Sequence, residues 1–267
     1  MLKVGIAGFG TIGRVVAKHL QQQDLPLALE AVSAGDASKA AMAMSALASP
    51  VPIVNASELA RRCDVIVDCA PTAAFAEIAE AALSGGKILV TVNGAALMQS
   101  PELVDLARAK GGRIVLATGA LLGLDAVRAA AIGTIYSVTM ITRKPPKSLV
   151  KAEHVIRNNI DLNNLTEPLR IFAGTAREGA VAFPANVNVA AALGMAGIGP
   201  DRTQLEIWAA PELTRNTHRI LVDSDSARFE LMIENIPTDE NPGTGRITAL
   251  SIVAALRALV TPLHIGT

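Results

Sequence analysis

The chain has 267 residues, 24 basic and 24 acidic side chains, 51% hydrophobic residues and 3% aromatic residues. This length suits two modest domains better than one single core. Because the net charge is zero and no dense basic run is present, we expect a small-molecule partner and no nucleic acid.

The first half of the chain alternates between strand-like and helix-like segments, joined by short turns. The predicted strands are 2–7, 27–33, 52–54, 65–70, 88–92 and 113–117. The predicted helices are 12–22, 38–48, 57–62, 72–84 and 100–110. Repeated strand–helix units of this kind are typical of an α/β fold with a doubly wound parallel sheet. We therefore predict a Rossmann domain over residues 1–124.

After Gly123 the pattern changes to strands with polar residues at alternate positions. The predicted strands are 135–142, 204–209, 218–223 and 228–236, and the predicted helices are 125–132, 186–196 and 245–259. Short turns between the last three strands predict an antiparallel meander. We therefore predict an α+β domain over 125–244, built on a mainly antiparallel sheet. The helix at 245–260 is expected to pack back on the first domain.

The sequence shows neither a signal peptide nor a membrane span, and we therefore predict a cytoplasmic location. The start, MLKVGIAGFG, lacks the basic, apolar and small-residue regions of a signal peptide. The long uncharged stretch 179–200 is interrupted by proline, asparagine and glycine, so we expect no membrane span. Cys63 and Cys69 have neither zinc-site nor CxxC spacing, which indicates a reduced setting and no metal site.

A glycine-rich loop of the form GxGxxG follows the first predicted strand and opens the first predicted helix. In that context the pattern predicts dinucleotide binding. Gly8 allows the tight turn, Gly10 lets the backbone approach a pyrophosphate, and Gly13 lets the helix pack on the strand. The backbone N–H groups near Thr11 and Ile12 are expected to meet the phosphates at the helix start.

Three further residues are expected to contact the cofactor. Asp36 is the acidic residue nearest the end of the second strand, where a carboxylate binds the adenine ribose of NAD. It lies slightly beyond the usual position, so the cofactor is NAD or NADP, with NAD favoured. Ala70 and Pro71 end a central strand, and ligands bind outside the carboxyl ends of such strands.

Candidates for the chemistry come from the second half of the chain. Among four histidines, His218 stands at the start of a strand, where it can serve proton transfer or be a structural histidine. Asn186 and Asn188 can cap the following helix or contact a carboxamide or a substrate group. Ala120 follows the last strand of the first domain, where a small residue allows close approach of the nicotinamide. No nucleophile elbow of the GxSxG type is present, so hydride transfer assisted by a histidine is the expected chemistry.

Three cations are candidates for holding substrate carboxylates: Arg143, Lys144 and Arg177. For each of them the alternative is a solvated surface charge.

Six motifs in this order and spacing give the chain a family resemblance. They are Gly8–Gly13, Thr118-Gly119-Ala120 with Gly123-Leu124-Asp125, Arg143-Lys144-Pro145-Pro146, Gly174–Glu178, Phe183–Asn188 and Asn216-Thr217-His218. Over nearly its full length the chain resembles the L-aspartate dehydrogenases. The first motif is common to many dehydrogenases, whereas the later ones are much more specific.

The resemblance implies reversible oxidation of L-aspartate to iminoaspartate with NAD or NADP, then hydrolysis to oxaloacetate and ammonia. It links the chain to pyridine nucleotide biosynthesis. It also implies that His218 is the active-site residue, that Ala120 and one asparagine contact the cofactor, with Asn188 favoured over Asn186, and that the chain forms a homodimer through the second domain's sheet.

Two rival interpretations remain open at the level of sequence. One is another dehydrogenase on the same plan, such as a dihydrodipicolinate reductase or a homoserine dehydrogenase; the paired histidines of the former and the extra length of the latter are missing. The other is a non-catalytic NAD(P)-binding sensor, since a fold alone does not prove chemistry.

Overall fold

A computed structural model describes residues 1–22, 24–184, 187–241 and 243–266. Its strands are β1 Leu2–Ala7, β2 Leu27–Ser33, β3 Val65–Asp68, β4 Ile88–Thr91, β5 Arg113–Leu116, β6 Ile135–Lys144, β7 Leu169–Thr175, β8 Thr203–Ala209, β9 Asn216–Ser224 and β10 Arg228–Asn235. Its helices are α1 Thr11–Gln22, α2 Ala37–Met44, α3 Ala56–Arg62, α4 Phe75–Ser84, α5 Gly94–Gln99, α6 Glu102–Lys110, α7 Leu124–Ala130, α8 Glu153–Arg157, α9 Ala176–Ala182, α10 Asn188–Ala196 and α11 Ile247–Ala258. No helix in these ranges combines the length and apolar character needed to cross a membrane.

The chain forms two compact units. The first comprises Met1–Gly119 and Thr248–His264, and the second comprises Ala120–Ile247 with the last few residues. The chain thus passes from the first unit to the second a few residues before the Leu124 boundary expected from sequence.

The first unit is built on a parallel five-stranded sheet in the order β2-β1-β3-β4-β5. All four residues of β3 and the last four of β1 are buried, as expected for strands covered on both faces. Successive crossovers run outward from β1 on one side and from β3 on the other. Ligands bind at the carboxyl ends of the strands at such a switch point. The predicted doubly wound Rossmann sheet is confirmed.

Two apolar clusters cover the two faces of this sheet. Val4, Ile6 and Val67 pack with residues of α1, α2 and α11 on one face. Ile66 and Leu89 pack with residues of α3, α4, α5 and α6 on the other. Burial of this kind contributes about 25 cal/mol per Å² of apolar surface. The helix α11 near the chain's end therefore belongs to the core of the first unit.

The strand predicted at 52–54 is wrong. Ile53 makes only an isolated bridge with Val32. The backbone of Val32 exchanges one hydrogen bond each with Pro52 and Val54, and Asn55 then caps α3 by accepting from the Glu58 N–H. The start of the helix therefore ends the pairing before a strand can form.

The second unit is built on a five-stranded sheet in the order β10-β9-β6-β8-β7. β9 is antiparallel to β10 and β6, β7 is antiparallel to β8, and β6 and β8 are parallel. The mainly antiparallel sheet is confirmed, whereas the predicted meander is wrong at β8. The segment between β6 and β8 contains α8, β7, α9 and α10, which is long enough for a crossover to a parallel strand.

The two faces of the second sheet differ. Along β6 and β9, buried residues alternate with more exposed ones over most of their length. Helices α9 and α10 pack on β8, so one face is covered by helices. The covered face carries apolar residues in its middle and polar residues toward one end.

Candidate active site

The glycine loop between β1 and α1 has a geometry that side chains would disrupt. Gly8 has φ of +94°, and a Cβ there would lie 2.6 Å from the backbone N of Ala70. A Cβ on Gly13 would lie 2.1 Å from the carbonyl oxygen of Gly8. A Cβ on Gly10, in contrast, would meet nothing within 4 Å. The turn and the helix packing thus need Gly8 and Gly13, while Gly10 leaves open space beside the backbone.

The start of α1 faces this open space at the carboxyl end of β1. The helix is 12 residues long and carries no acidic residue in its first turn. The Arg14 N–H donates to the Gly10 carbonyl at 3.0 Å, so the helical hydrogen bonds begin at the loop itself. The positive end of a helix dipole together with a glycine loop suits a pyrophosphate. The loop therefore fits a dinucleotide.

Asp36 lies at the start of α2, three residues beyond the end of β2. Its exposed side chain caps the helix, since Oδ1 accepts from the Lys39 N–H at 2.9 Å. The buried Ser33 ends β2, and its carbonyl oxygen accepts from the Gly8 N–H at 2.9 Å. This strand end carries no carboxylate of its own, so both NAD and NADP remain compatible with it.

A buried polar network that sequence analysis missed supports the loop after β3. Asp68 is fully buried and accepts hydrogen bonds from Thr91 Oγ1 at 2.7 Å and Asn93 Nδ2 at 2.8 Å. Its other oxygen accepts from the Ala70 N–H at 3.1 Å. Asn93 Nδ2 also donates to the Ala70 carbonyl oxygen at 3.1 Å. The network fixes the backbone of Ala70, which lies beside Gly8.

Burial raises the pKa of Asp68, although its hydrogen bonds from Thr91, Asn93 and Ala70 act in the opposite direction. The signal in the sequence is one aspartate inside the run VIVDCA, at the end of a buried strand. The predicted strand 65–70 continues past this residue, whereas β3 ends at Asp68.

In the second unit, buried polar side chains gather on the helix-covered face of the sheet. Thr142 pairs directly with His218 across β6 and β9, and Asn216 pairs directly with Asn235 across β9 and β10. Lys144 lies two residues after Thr142 and therefore on the same face. All five residues are at least nine-tenths buried. A polar cluster in a covered sheet face is a candidate site because buried polar groups need partners.

His218 is held at the centre of this cluster. Its Nδ1 shares a hydrogen bond of 3.0 Å with Thr142 Oγ1. Burial, together with the smaller effect of the Lys144 charge, lowers the pKa of His218 to about 3. The imidazole is therefore neutral at physiological pH. A neutral ring can accept a proton or a hydrogen bond but does not hold a proton ready to donate.

Asn235 connects this cluster to the segment after β5. Its Nδ2 donates to the Ala120 carbonyl oxygen at 3.0 Å. Its Oδ1 is buried and has no hydrogen-bond partner within the described residues. Ala120 itself is half-buried. The backbone at Ala120 is thus fixed by a side chain of β10.

Comparisons with known proteins assign this arrangement to a family. Residues 125–259 match the model for the aspartate dehydrogenase C-terminal domain. An L-aspartate dehydrogenase of Bradyrhizobium diazoefficiens is 51% identical, with 100% of this chain and 94% of that protein aligned. The chain belongs to the aspartate dehydrogenase family. A further family member, L-aspartate dehydrogenase 3 of Bordetella bronchiseptica, is 48% identical and covers 100% of this chain and 98% of its own length.

The fold agrees with this membership. The crystal structure of aspartate dehydrogenase from Thermotoga maritima matches with a TM-score of 0.76 over 100% of both chains, at 22% identity. Residues 8–117 match the model for the homoserine dehydrogenase NAD-binding domain. The cofactor of this aspartate dehydrogenase family member is therefore NAD or NADP, and the glycine loop lies inside the matched range.

The three predicted substrate-binding cations of this family member lie on different sheet faces and elements of the second unit. Lys144 is on the face of His218. Arg143 lies on the opposite face of β6 and pairs with Glu212 at 2.6 Å. Arg177 lies in the first turn of α9 and pairs with both oxygens of Asp201 at 2.5 and 2.9 Å. For either arginine, binding a substrate carboxylate would require exchange of its present acidic partner.

The two predicted asparagines precede and begin α10. Asn188 is the first residue of that helix, follows the N-cap residue Val187 and is half-buried. Asn186 lies outside the described residues. The N-cap of α10 is Val187, so the predicted capping role is wrong for Asn188, and its contact with the cofactor stays a prediction.

Proposed function

We propose that the chain catalyses the reversible NAD(P)-dependent oxidation of L-aspartate to iminoaspartate, which water hydrolyses to oxaloacetate and ammonia. The observation that carries this proposal is the buried Thr142–His218 pair, with Lys144 on the same face, in the domain that matches the aspartate dehydrogenase C-terminal model. The full-length relatives named L-aspartate dehydrogenase support the substrate.

The residues proposed to hold the cofactor come from both halves of the chain. The pyrophosphate is assigned to Gly8, Gly10, Thr11, Ile12 and Gly13, where the open space at Gly10 and the start of α1 suit it. The further proposed contacts are Asp36, Ala70, Pro71, Ala120, Asn186 and Asn188. When bound, the nicotinamide supplies the hydride acceptor for the oxidation of the substrate.

His218 is proposed as the residue that takes a proton from the water attacking the imine. Its burial and its hydrogen bond to Thr142 support this assignment, because a base must be held in a fixed orientation. Holding the substrate in a reactive orientation contributes several kcal/mol to the lowering of the barrier, and cationic side chains hold its two carboxylates.

The test is oxidation of NADH and NADPH by oxaloacetate with and without ammonium, followed by absorbance. We expect turnover that requires ammonium, because reductive amination needs a nitrogen donor. Replacing His218 by Ala should lower turnover by roughly 10²–10⁴-fold and leave cofactor affinity unchanged. The matched control is His264→Ala, since His264 is exposed near the end of the chain.

The alternatives give different results in the same assay. Turnover without ammonium would identify a hydroxy-acid dehydrogenase. Cofactor binding without turnover, equal in His218→Ala and the wild type, would identify a non-catalytic sensor and contradict the proposal.

We also propose that the protein is cytoplasmic and linked to pyridine nucleotide biosynthesis. We further propose a homodimer formed through the face of the second sheet that the helices do not cover. That face has a groove of about 630 Å³ lined in part by Ile141, Trp208 and Met232. Thr217 Oγ1 borders it, buried and without a hydrogen-bond partner in the described ranges. Apolar surface in such a groove favours a protein partner. Light scattering compares the mass of Met232→Asp with that of the wild type. We expect a smaller mass for the variant, and an unchanged mass would contradict the proposed interface.

A further inference from the structure

Lys144 is a buried lysine at the end of β6. Only 4% of the surface of Lys144 is exposed, whereas Lys147 and Lys151, a few positions further on, are exposed. Lysines are almost never buried to this extent without a reason. Its carbonyl oxygen accepts from the Ala210 N–H at 2.8 Å, which fixes the backbone at the strand end. The lysine is therefore held in the covered sheet face.

The neighbours of Lys144 on this face are the residues of the candidate active site. Thr142, two positions earlier, carries the hydrogen bond to His218. Asn216 precedes His218 by two positions and shares the face. Lys144 lies two residues beyond Thr142, the direct partner of His218 across β6 and β9, so Lys144 and His218 are neighbours on this face.

The described residues of β8 and β10 on this face are uncharged. The strands β8 and β10 contribute Ile207, Ala209, Ile233 and Asn235. Helix α10 contains no charged residue, and the charged residues of α9, Arg177 and Glu178, are exposed. His218 is thus the titratable group that faces Lys144 from these elements. An uncharged surrounding favours the neutral amine over the ammonium.

We propose that Lys144 is a catalytic residue that takes the proton from the substrate's ammonium group before the substrate is oxidised. This inference rests on the proposed function, since it assigns a proton acceptor to the amino acid that the reaction consumes.

The proton balance of the step is simple. An N–H bond of the substrate ammonium breaks, and its proton forms a bond to Nζ of Lys144, which becomes an ammonium. The substrate amine then has a free electron pair. The Cα–H bond breaks with its electrons, which leave as hydride to the oxidised nicotinamide, while the nitrogen electron pair forms the C=N bond of the iminium.

The pKa values of the two buried groups suit this division of work. Burial lowers the pKa of Lys144 to about 8, so a substantial fraction is neutral near physiological pH. Lysines tuned in this way serve as general bases. His218, with a pKa of about 3, is a much weaker proton acceptor for an ammonium.

The test compares two substitutions over a range of pH. Lys144→Arg keeps a positive charge that cannot be lost, and Lys144→Met removes the amine while keeping an unbranched side chain. Lys151→Arg and Lys151→Met are the matched controls, because Lys151 is exposed. We measure kcat/KM for L-aspartate oxidation from acidic to alkaline pH in each protein.

For the wild type, kcat/KM should rise as pH passes the pKa of Lys144, because only the unprotonated amine accepts a proton. Both Lys144 variants should be roughly 10²–10⁴-fold slower and should lack that rise, while the Lys151 variants follow the wild type. A lysine that merely anchors a carboxylate behaves in the opposite way: kcat/KM falls as pH rises, and Lys144→Arg remains active. That result would overturn the proposal.

A readout without turnover keeps the proposal separate from the proposed function. NMR follows the titration of Lys144 through the chemical shift of its ¹³Cε atom. The signal is assigned by its absence from the spectrum of either Lys144 variant, or by sequential assignment of the wild type. A midpoint near pH 8 supports the proposal, and a midpoint near that of an exposed lysine overturns it. A wild type that titrates near pH 8 yet leaves L-aspartate unoxidised contradicts the proposed function, and with it the substrate of this step.

Discussion

At the scale of single residues, the glycine loop combines two different requirements. Gly13 is needed by the protein itself, since a Cβ there would lie 2.1 Å from a backbone oxygen of Gly8. Gly10 is not needed by the protein in this way, since a Cβ there would meet no atom within 4 Å. We propose that its small size leaves room for a ligand that approaches the backbone.

This difference predicts opposite results for two alanine substitutions. Gly13→Ala should lower the melting temperature, because the helix must move away from the loop. Gly10→Ala should melt like the wild type but weaken NAD(P)H binding by at least about tenfold, or about 1.4 kcal/mol. Calorimetry of unfolding and of binding measures both effects. Wild-type affinity in Gly10→Ala would contradict the assignment of the phosphates to this loop.

The same scale shows what the sequence could and could not predict about the site. The glycine loop could be predicted because its function depends on adjacent residues. The position of Lys144 could not be predicted, because the predicted strand ends at residue 142. Arg143 and Lys144 then follow it as two adjacent basic residues that the sequence does not distinguish. In the structure β6 extends to Lys144, so alternation places these two residues on opposite faces.

At the scale of elements, the Asp68 network connects the ends of β3 and β4. Thr91 Oγ1 donates to Asp68 at 2.7 Å and accepts from the Asn93 N–H at 2.9 Å. The Thr91 hydroxyl thus connects the Asp68 carboxylate with the turn before α5. The same carboxylate accepts from the Ala70 N–H. Because Ala70 and Pro71 are proposed cofactor contacts, this network positions part of the cofactor site without touching the cofactor.

Thr91→Val and Thr91→Ser test this positioning role. Valine removes one of the three hydrogen bonds to the buried carboxylate and leaves the Asn93 N–H without its partner, which should destabilise the protein by about 1–3 kcal/mol. It should also raise KM for the cofactor more than it changes kcat. Serine keeps the hydroxyl and should restore the wild-type KM. If Thr91→Val loses stability but keeps the wild-type KM, the network serves the fold alone.

The elements also differ in how far local sequence determines them. Most strands and helices of the first unit were predictable because short connections join them in a repeated strand–helix pattern, although the strand predicted at 52–54 is wrong and α5 was not predicted. β7 was not predicted, since its residues are mostly half-buried or exposed and show no clear alternation. The parallel pairing of β6 with β8 depends on a long crossover that no local pattern reveals.

At the scale of the whole molecule, the two units carry different kinds of information about function. The first unit matches a domain model named for homoserine dehydrogenase, which is evidence of cofactor binding but not of a substrate. The second unit matches the aspartate dehydrogenase domain and contains the buried cluster around His218. The choice of substrate therefore depends on the second unit.

The most direct measurement of that choice is hydride transfer from L-aspartate deuterated at Cα. After incubation with NAD⁺ or NADP⁺, mass spectrometry of the reduced cofactor measures how much deuterium it carries. We predict one deuterium in each reduced nicotinamide, because the Cα–H bond of aspartate is the bond that breaks. Reduced cofactor without deuterium, or no reduced cofactor from L-aspartate at all, would contradict the proposed oxidation of this amino acid.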